Sequence, residues 1–295
     1  MSPAAVGLWQ DERMSPSPRH PTHPVGSDRS PLAAGIAWAD GRVVPAGEAT
    51  VPLVDDGVLR GDAVFEAVLV RGGRTHELAA HLARLDRSAA ALDLRVPDVR
   101  DVVTDLLLAW GERDGALKIL VTRQGTLRGL LTPVSWPESL SLAVIDTPWR
   151  TPISGVKTLS YAANQWVHRE AVGRHADDAL ILDDGRLLEL PTGSVCLVHD
   201  GRVSSPDPAR LPILDSVTVR SLAKVVHVER TVPDLADLRS ADEVFVVSAT
   251  RPVLGVHAVV VDGDDQIELA TPGPVTAEVR TTFDAHIDAT LDPLP

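Results

Sequence analysis

The sequence predicts an α+β protein in two domains. Three observations lead there. Strand and helix patterns are mixed along the chain without the strict alternation of a doubly wound sheet. Asp146-Thr-Pro-Trp-Arg-Thr-Pro-Ile-Ser-Gly155 places two prolines and a glycine between regular segments, as a linker does. The length of 295 residues also suits about two domains rather than one. The expected divisions are an N-terminal tail over 1–32, a smaller domain over 33–150 and a larger one over 151–295.

The tail is assigned from Met14-Ser-Pro-Ser-Pro-Arg-His-Pro-Thr-His-Pro24, which is rich in Pro, Ser and His and has no apolar period. Order begins near Ile36. Ile36-Ala-Trp-Ala, Asp40-Gly41 and Arg42-Val-Val read as a hairpin, and Val64–Val70, Gly72-Gly73 and Arg74-Thr-His as another. Leu78, Leu82, Leu85, Ala89 and Leu92 form one apolar stripe, so a helix follows. A second helix is expected over 97–112, with strands over 116–123 and 139–146. Past the linker come a short strand into Lys157 and a helix over 161–173. Hairpins turn at Asp184-Gly185 and Asp200-Gly201. A helix opens near Asp215, strands cover 243–248 and 256–262, and a last helix covers 275–290.

Composition narrows function. Hydrophobic residues make up 44% and charged residues 23% of the chain, ordinary values for a globular protein. No run approaches the roughly 20 apolar residues of a membrane span, and the N-terminus lacks a secretory pattern, so the cytoplasm is the expected location. The net charge of −13 argues against nucleic-acid and anionic-membrane partners. With a single cysteine, Cys196, there is neither a disulfide framework nor a cysteine-built zinc site, and no metal is expected. Phosphate-loop, dinucleotide, zinc-protease and serine-hydrolase motifs are absent.

Only three lysines occur, Lys118, Lys157 and Lys224, and one tyrosine, Tyr161. Lys157 stands where a strand meets a helix, four residues before Tyr161. There an amine can project into a cleft, where desolvation lowers its pKa as imine formation requires. The same position also suits a surface lysine. Glu189, among apolar neighbours, reads as a solvated strand end or as a buried partner for a cationic ring nitrogen. Arg84 shares a helix face with His81 and Ser88, which suits an anion or plain solvent. Val217 and Thr218 begin a helix, and Ser248 and Thr250 end a strand, so both places offer hydroxyl or backbone donors to a phosphate or simply cap their elements. Taken together these describe one ligand, with an aldehyde for the lysine, a ring nitrogen for the carboxylate and a phosphate for Arg84, Thr218 and Thr250.

Six blocks in this order resemble the class IV (fold type IV) pyridoxal-phosphate enzymes. They are Arg60-Gly-Asp-Ala-Val-Phe-Glu66, His81-Leu-Ala-Arg84-Leu85 with Ser88, Val156-Lys-Thr-Leu-Ser-Tyr-Ala-Ala-Asn164, Asp177–Leu182 with Gly185–Glu189, Ile213-Leu-Asp-Ser-Val-Thr218 and Asp242–Ser248. The resemblance implies a two-domain D-amino-acid-aminotransferase-like fold with pyridoxal 5'-phosphate at the domain interface, and a homodimer. It implies that Lys157 is the Schiff-base lysine and proton carrier, that Glu189 pairs with the pyridine nitrogen, and that Arg84, Val217, Thr218, Ser248 and Thr250 surround the phosphate. Tyr161 falls near the phenolic oxygen. The family's Gly-Asp-Gly reads Gly61-Asp62-Ala63 here, its Ser-Asn pair reads Gly193-Ser194, and the glycine before the phosphate pair is Ser216.

The form of the lysine block is most similar to aminodeoxychorismate lyase, which converts 4-amino-4-deoxychorismate to 4-aminobenzoate and pyruvate. The two carboxylates of that small-molecule substrate call for two cations, for which Arg60, Arg123 and Arg251 are the candidates, with Phe65 lining the pocket. The alternatives are transamination of branched-chain or D-amino acids, and an inactive paralogue that only binds.

Overall fold

A computed structural model describes residues 34–293. The expected tail over 1–32 falls wholly outside them, as do residues 33, 294 and 295. Two sheets carry the described chain. The first has six strands, β1 (Ile36–Ala39), β2 (Arg42–Pro45), β3 (Ala63–Arg71), β4 (Arg74–Thr75), β5 (Gly115–Thr122) and β6 (Leu127–Thr132), in the order β2-β1-β6-β5-β3-β4. Every neighbouring pair in it is antiparallel. A single turn, α1 (Asp56–Leu59), precedes β3, and α2 (Leu78–Ala91) and α3 (Arg100–Trp110) pack on the sheet. Leu85, Val102, Leu106, Leu117, Ile119 and Leu131 close that core. The leucine stripe therefore reports the buried face of α2. The second helix starts at Arg100 rather than 97, since Pro97 and the Asp98 side chain, which accepts from the Arg100 N–H at 3.0 Å, form the turn ahead of it.

The second sheet contains β7 (Ser139–Asp146), β8 (Asp178–Asp183), β9 (Arg186–Leu187), β10 (Ser194–His199), β11 (Arg202–Pro206), β12 (Val228–Thr231), β13 (Glu243–Ser248), β14 (Arg251–Asp262) and β15 (Asp265–Glu268). Its order is β12-β11-β10-β13-β14-β7-β8-β9, with β15 on β14. Helices α4 (Ala162–Gly173), α5 (Val217–Leu222), α6 (Leu235–Ser240) and α7 (Pro274–Ala289) flank it. Strands β7 and β8 run parallel, as do β7 and β14, while hairpins supply most of the other pairings. The three Asp-Gly turns have both residues at positive φ, Asp40 52° and Gly41 82°, Asp184 49° and Gly185 69°, Asp200 48° and Gly201 76°. That is the type I′ geometry whose twist matches the strands it joins.

The strand Ser139–Asp146, which a division near residue 150 leaves in the first half, forms hydrogen bonds in the middle of the second sheet. Three crossings therefore link the sheets, the last leading through α4 to β8. The chain passes to the second sheet through 133–138 and returns to the first at Thr158, which bridges to Val64 of β3. The second crossing carries Lys157.

Candidate active site

A cavity of about 1320 Å³ lies between the two sheets, and Lys157, Tyr161, Glu189, Arg84, Thr218, Ser248 and Thr250 all line it. Lys157 is fixed by backbone. Its carbonyl accepts from the Phe65 N–H at 3.1 Å, and the Leu159 N–H donates to the Ala63 carbonyl at 2.9 Å. The Lys157 N–H donates to Ser88 Oγ at 3.1 Å. Thr158 and Ser160 hydroxyls both donate to the Gly61 carbonyl at 3.2 Å. A side chain on Gly61, which has φ +69°, would stand 2.7 Å from Ser160 Oγ, so this approach requires glycine.

The lysine amine sits 4.4 Å from the centroid of the Phe65 ring and 6.0 Å from that of Tyr161. The two rings meet edge to face at 5.2 Å and 76°. Burial, helped by the Arg84 charge, pushes the Lys157 pKa down to about 8. At that value a useful fraction of the amine is neutral and nucleophilic near pH 7. Burial also raises the Tyr161 pKa, which keeps its hydroxyl protonated.

Glu189 follows β9, and its Oε2 accepts from the Leu214 N–H at 3.2 Å. Desolvation raises its pKa to about 7, with Lys157 and Arg84 opposing the rise. A carboxylate in that state calls for a cation, and a protonated ring nitrogen supplies one.

Arg84 extends from α2 to Glu66 of β3, donating from Nε at 2.7 Å and from Nη2 at 2.8 Å. Its Nη1 donates to the Asp215 carbonyl at 3.2 Å, just ahead of α5. His81 Nδ1 meets Glu66 Oε2 at 2.8 Å. Glu66 is fully buried, and its pKa is brought down to about 2 because the hydrogen bonds and charges of Arg84 and His81 outweigh desolvation. Thus His81, Arg84 and Ser88, one face of α2, all serve this region. Glu66 lies in the Arg60–Glu66 block, and nothing in the sequence marks it as a site residue. Its place on a strand, with the next apolar neighbours on both sides, hides the fact that α2 delivers its two partners.

Around the expected phosphate position, Thr218 stands in the first turn of α5 and Ser216 caps that helix, its Oγ accepting from the Val219 N–H at 3.2 Å. This gives a use for the serine that replaces the family's glycine. Val217 is buried and borders a small neighbouring void with Thr218 rather than the cavity itself.

The predicted substrate arginines do not gather here. Arg60 is exposed and paired with Asp56 of α1. Arg123 bonds Asp62 at 2.8 and 3.1 Å and the Leu92 and Asp93 carbonyls at the end of α2, so four of its five N–H donors are already used. Arg251 is 5% exposed, 3.3 Å from Thr192 Oγ1 and 3.6 Å from Asp178, with its guanidinium 4.9 Å from the Trp136 ring. The cations on the cavity wall opposite are Lys118 of β5 and Arg128 of β6. Arg128 also donates to the Thr50 and Leu127 carbonyls, each at 2.8 Å, and pairs with Asp40 at 3.1 Å, which leaves one N–H on each of its two terminal nitrogens for a ligand. Arg128 is hidden in the sequence because Leu127–Thr132 has no alternating pattern to mark it as a strand, and Lys118 because its apolar neighbours in β5 give no sign that its face opens onto a cavity.

The family model "Amino-transferase class IV" matches residues 63–259. The chain belongs to the class IV aminotransferases. A Mycobacterium tuberculosis protein named bifunctional aminodeoxychorismate lyase / D-amino acid transaminase is 30% identical over 262 residues, 75% of this chain and 90% of that one. A D-alanine aminotransferase of Bacillus licheniformis is 26% identical, over 84% of this chain and 95% of the relative. Among solved structures, a hypothetical aminotransferase of M. tuberculosis in its PLP-bound form aligns at TM-score 0.76 and 27% identity, covering 86% of this chain and 99% of that one. The Escherichia coli branched-chain amino acid aminotransferase shares the fold at TM-score 0.76 and 19% identity.

The class IV site here has the residues that pyridoxal phosphate needs. A desolvated amine faces the cavity, a buried carboxylate lacks a full countercharge, and Arg84 and hydroxyls cluster where α5 begins. Among the described residues no helix is long and apolar enough to cross a membrane.

Proposed function

We propose that this class IV enzyme acts on 4-amino-4-deoxychorismate and releases 4-aminobenzoate and pyruvate. The observation that carries the reading is the cavity opposite Lys157. It is large for a small amino acid, walled by Phe65, Tyr161, Trp136 and Trp149, and supplied with two cations, Lys118 and Arg128. Those features suit a ring with two carboxylates. The 30% identical relative whose name includes this lyase activity supports the same reading.

Pyridoxal phosphate would be held by Lys157 at its aldehyde, by Glu189 at its ring nitrogen and by Arg84, Thr218, Ser248 and Thr250 at its phosphate. When bound it supplies an electron sink for the carbanion at the substrate's amine-bearing carbon. The substrate's amine would take the place of Lys157 at that aldehyde, and the freed, neutral amine of Lys157 would take the proton from that carbon and return it to the departing enol. Glu189, left anionic by a neighbouring cation, keeps that cation protonated. Tyr161 stays an O–H donor. Lys118 and Arg128 orient the carboxylates through charge-assisted hydrogen bonds. Loss of the enol-ether C–O bond expels pyruvate and makes the ring aromatic. General-base catalysis of this kind contributes roughly 10²–10⁴-fold.

Transamination of a D-amino acid is the second reading, favoured by the D-alanine aminotransferase relative and by the other activity in the bifunctional relative's name. It uses the same Lys157 for a 1,3-proton transfer. We further propose a homodimer, because Leu53, Val54, Val58 and Leu59 expose 75, 79, 49 and 55% of their surfaces beside Val51 on the cavity wall. Burial of that patch in a second copy stabilises association.

The test is the visible spectrum of the protein with added pyridoxal phosphate, followed by product analysis. A cofactor band absent from Lys157→Ala, with 4-aminobenzoate and pyruvate formed in equal amounts, supports the lyase. A band that bleaches with D-amino acids, yielding a keto acid and no 4-aminobenzoate, supports transamination. Failure to bind the cofactor supports the inactive paralogue.

A further inference from the structure

Away from the cavity, the corner between β4 and α2 meets the C-terminal half of α7. His76, Glu77 and His286 converge there, with one ligating atom from each lying within 4.8 Å of the others. His76 is held by its backbone, whose N–H donates to the Leu69 carbonyl at 3.1 Å and which bridges to Leu291. Glu77 has φ 58° and a half-buried carboxylate. The two imidazole centroids are 6.1 Å apart at 89°, and Phe283 lies 6.2 Å from His76 and 6.1 Å from His286.

The histidines carry an observation that packing alone leaves unexplained. His76 is 6% exposed, and its Nε2 is buried with no hydrogen-bond partner among the described residues. The Nε2 of His286 is likewise buried and unpartnered. Buried polar atoms are ordinarily satisfied, and here two imidazole nitrogens share one corner with a carboxylate.

We propose that His76, Glu77 and His286 form a binding site for a borderline divalent transition-metal ion, of which Zn²⁺ is the simplest probe. Two imidazoles and one carboxylate are a donor set that such ions accept, with a fourth position left for water. Ligand atoms on a tetrahedral ion stand ~3.3 Å apart, given metal–ligand distances of about 2.0–2.1 Å. The side chains of Glu77 and His286, both half-buried, make the closing rotation around the fixed His76. Glu77 now accepts from Ser221 Oγ at 3.2 Å and pairs with Lys224. The Lys224 side chain is 54% exposed, so solvent takes it up when the ion arrives. Asp292, whose Oδ2 accepts from the Leu78 N–H at 3.0 Å, and His81 also act on His76. An ion at this corner would tie α7, on the second sheet, to the start of α2, on the first.

The experiment is Zn²⁺ titration of the cofactor-loaded protein, with bound metal measured after desalting and the thermal midpoint followed in parallel. Wild type and the exposed-histidine control His227→Gln are expected to retain one Zn²⁺ per chain and to melt higher with it. His286→Gln and Glu77→Gln are expected to bind ~10–100-fold more weakly or worse, since a lost ligand costs at least as much as a lost outer-shell partner. Their melting curves should no longer respond to Zn²⁺. Two independent variants separate ligand loss from misfolding. Equal retention in all four proteins, which includes chelation by the cofactor itself, overturns the site, as does no retention by wild type.

Discussion

Glu66 holds Arg84 through two charge-assisted hydrogen bonds, 2.7 Å from Nε to Oε1 and 2.8 Å from Nη2 to Oε2, with both side chains almost wholly buried. Removing one member leaves an uncompensated buried charge, a change that costs about 3–5 kcal/mol. Glu66→Ala should therefore lower stability by that order in urea melts. It should also weaken pyridoxal-phosphate binding, because Arg84 then turns toward whatever carbonyl or water is near. Glu66→Ala with unchanged cofactor affinity would mean that Arg84 does not serve the phosphate. The acid limb follows from the same pair. The folded-state pKa of about 2 lies below the ordinary 4.5, so this contribution is full above pH 4.5 and lost as pH falls toward 2.

Glu189 behaves in the opposite sense. Its folded-state pKa of about 7 lies above the ordinary 4.5. In the cofactor-free protein the folded state therefore holds this proton more tightly than the unfolded state. Stability from this group is full below pH 4.5 and is lost as pH rises through about 7. Glu189→Gln should flatten that slope in apo-protein melts between pH 5 and 8, a window separate from that of Glu66. In the loaded enzyme the same substitution removes the partner of a cation. Losing one such electrostatic partner lowers kcat by about 10²–10³ in comparable sites. A loaded Glu189→Gln enzyme with wild-type kcat would remove Glu189 from the mechanism.

Lys157 sets the pH dependence of cofactor loading. With its pKa at about 8, the neutral amine grows as pH rises through that value and falls tenfold per pH unit well below it. The rate of appearance of the cofactor band on mixing apo-protein with pyridoxal phosphate should follow that titration. A rate that keeps climbing up to the ordinary lysine value near 10.5 would show that the amine is not desolvated.

The sequence made the site legible where a residue type is scarce or a motif is short. Three lysines and one tyrosine left few candidates, and the 3.6-residue period put His81, Arg84 and Ser88 on one face before any contact was known. What it concealed is long-range. Glu66 becomes a site residue only because β3 lies beside α2. Strand Ser139–Asp146 reads as part of the first half because it precedes the prolines, yet its partners β8 and β14 come more than thirty residues later. Arg123, in Val121-Thr-Arg-Gln-Gly125, is a candidate anion anchor by sequence and sits in a turn after β5. In the fold that turn delivers the guanidinium to Asp62 and to the carbonyls that end α2, whose free acceptors need a donor.

This difference in placement separates the cations experimentally. Lys118 and Arg128 line the cavity, whereas Arg60 and Arg123 point their donors elsewhere. A charged hydrogen bond to a substrate carboxylate is worth about 1.5–3 kcal/mol, so Lys118→Ala and Arg128→Ala should each lower kcat/KM by ~10–100-fold. The loss should appear mainly in KM, because both cations grip the substrate before and during reaction. Arg128 also donates to the Thr50 and Leu127 carbonyls and pairs with Asp40, so its variant should melt lower as well, while Lys118→Ala should not. Arg60→Ala should leave kcat/KM within about twofold of wild type, as its pair with Asp56 is a solvent-exposed one worth little. Arg123→Ala should behave as a stability variant, melting slightly lower through loss of the Asp62 pair and the carbonyl contacts and keeping its KM. Should Arg123→Ala raise KM tenfold while Lys118→Ala does nothing, the substrate carboxylates would have to lie at the Gly61–Asp62 turn and not against β5 and β6.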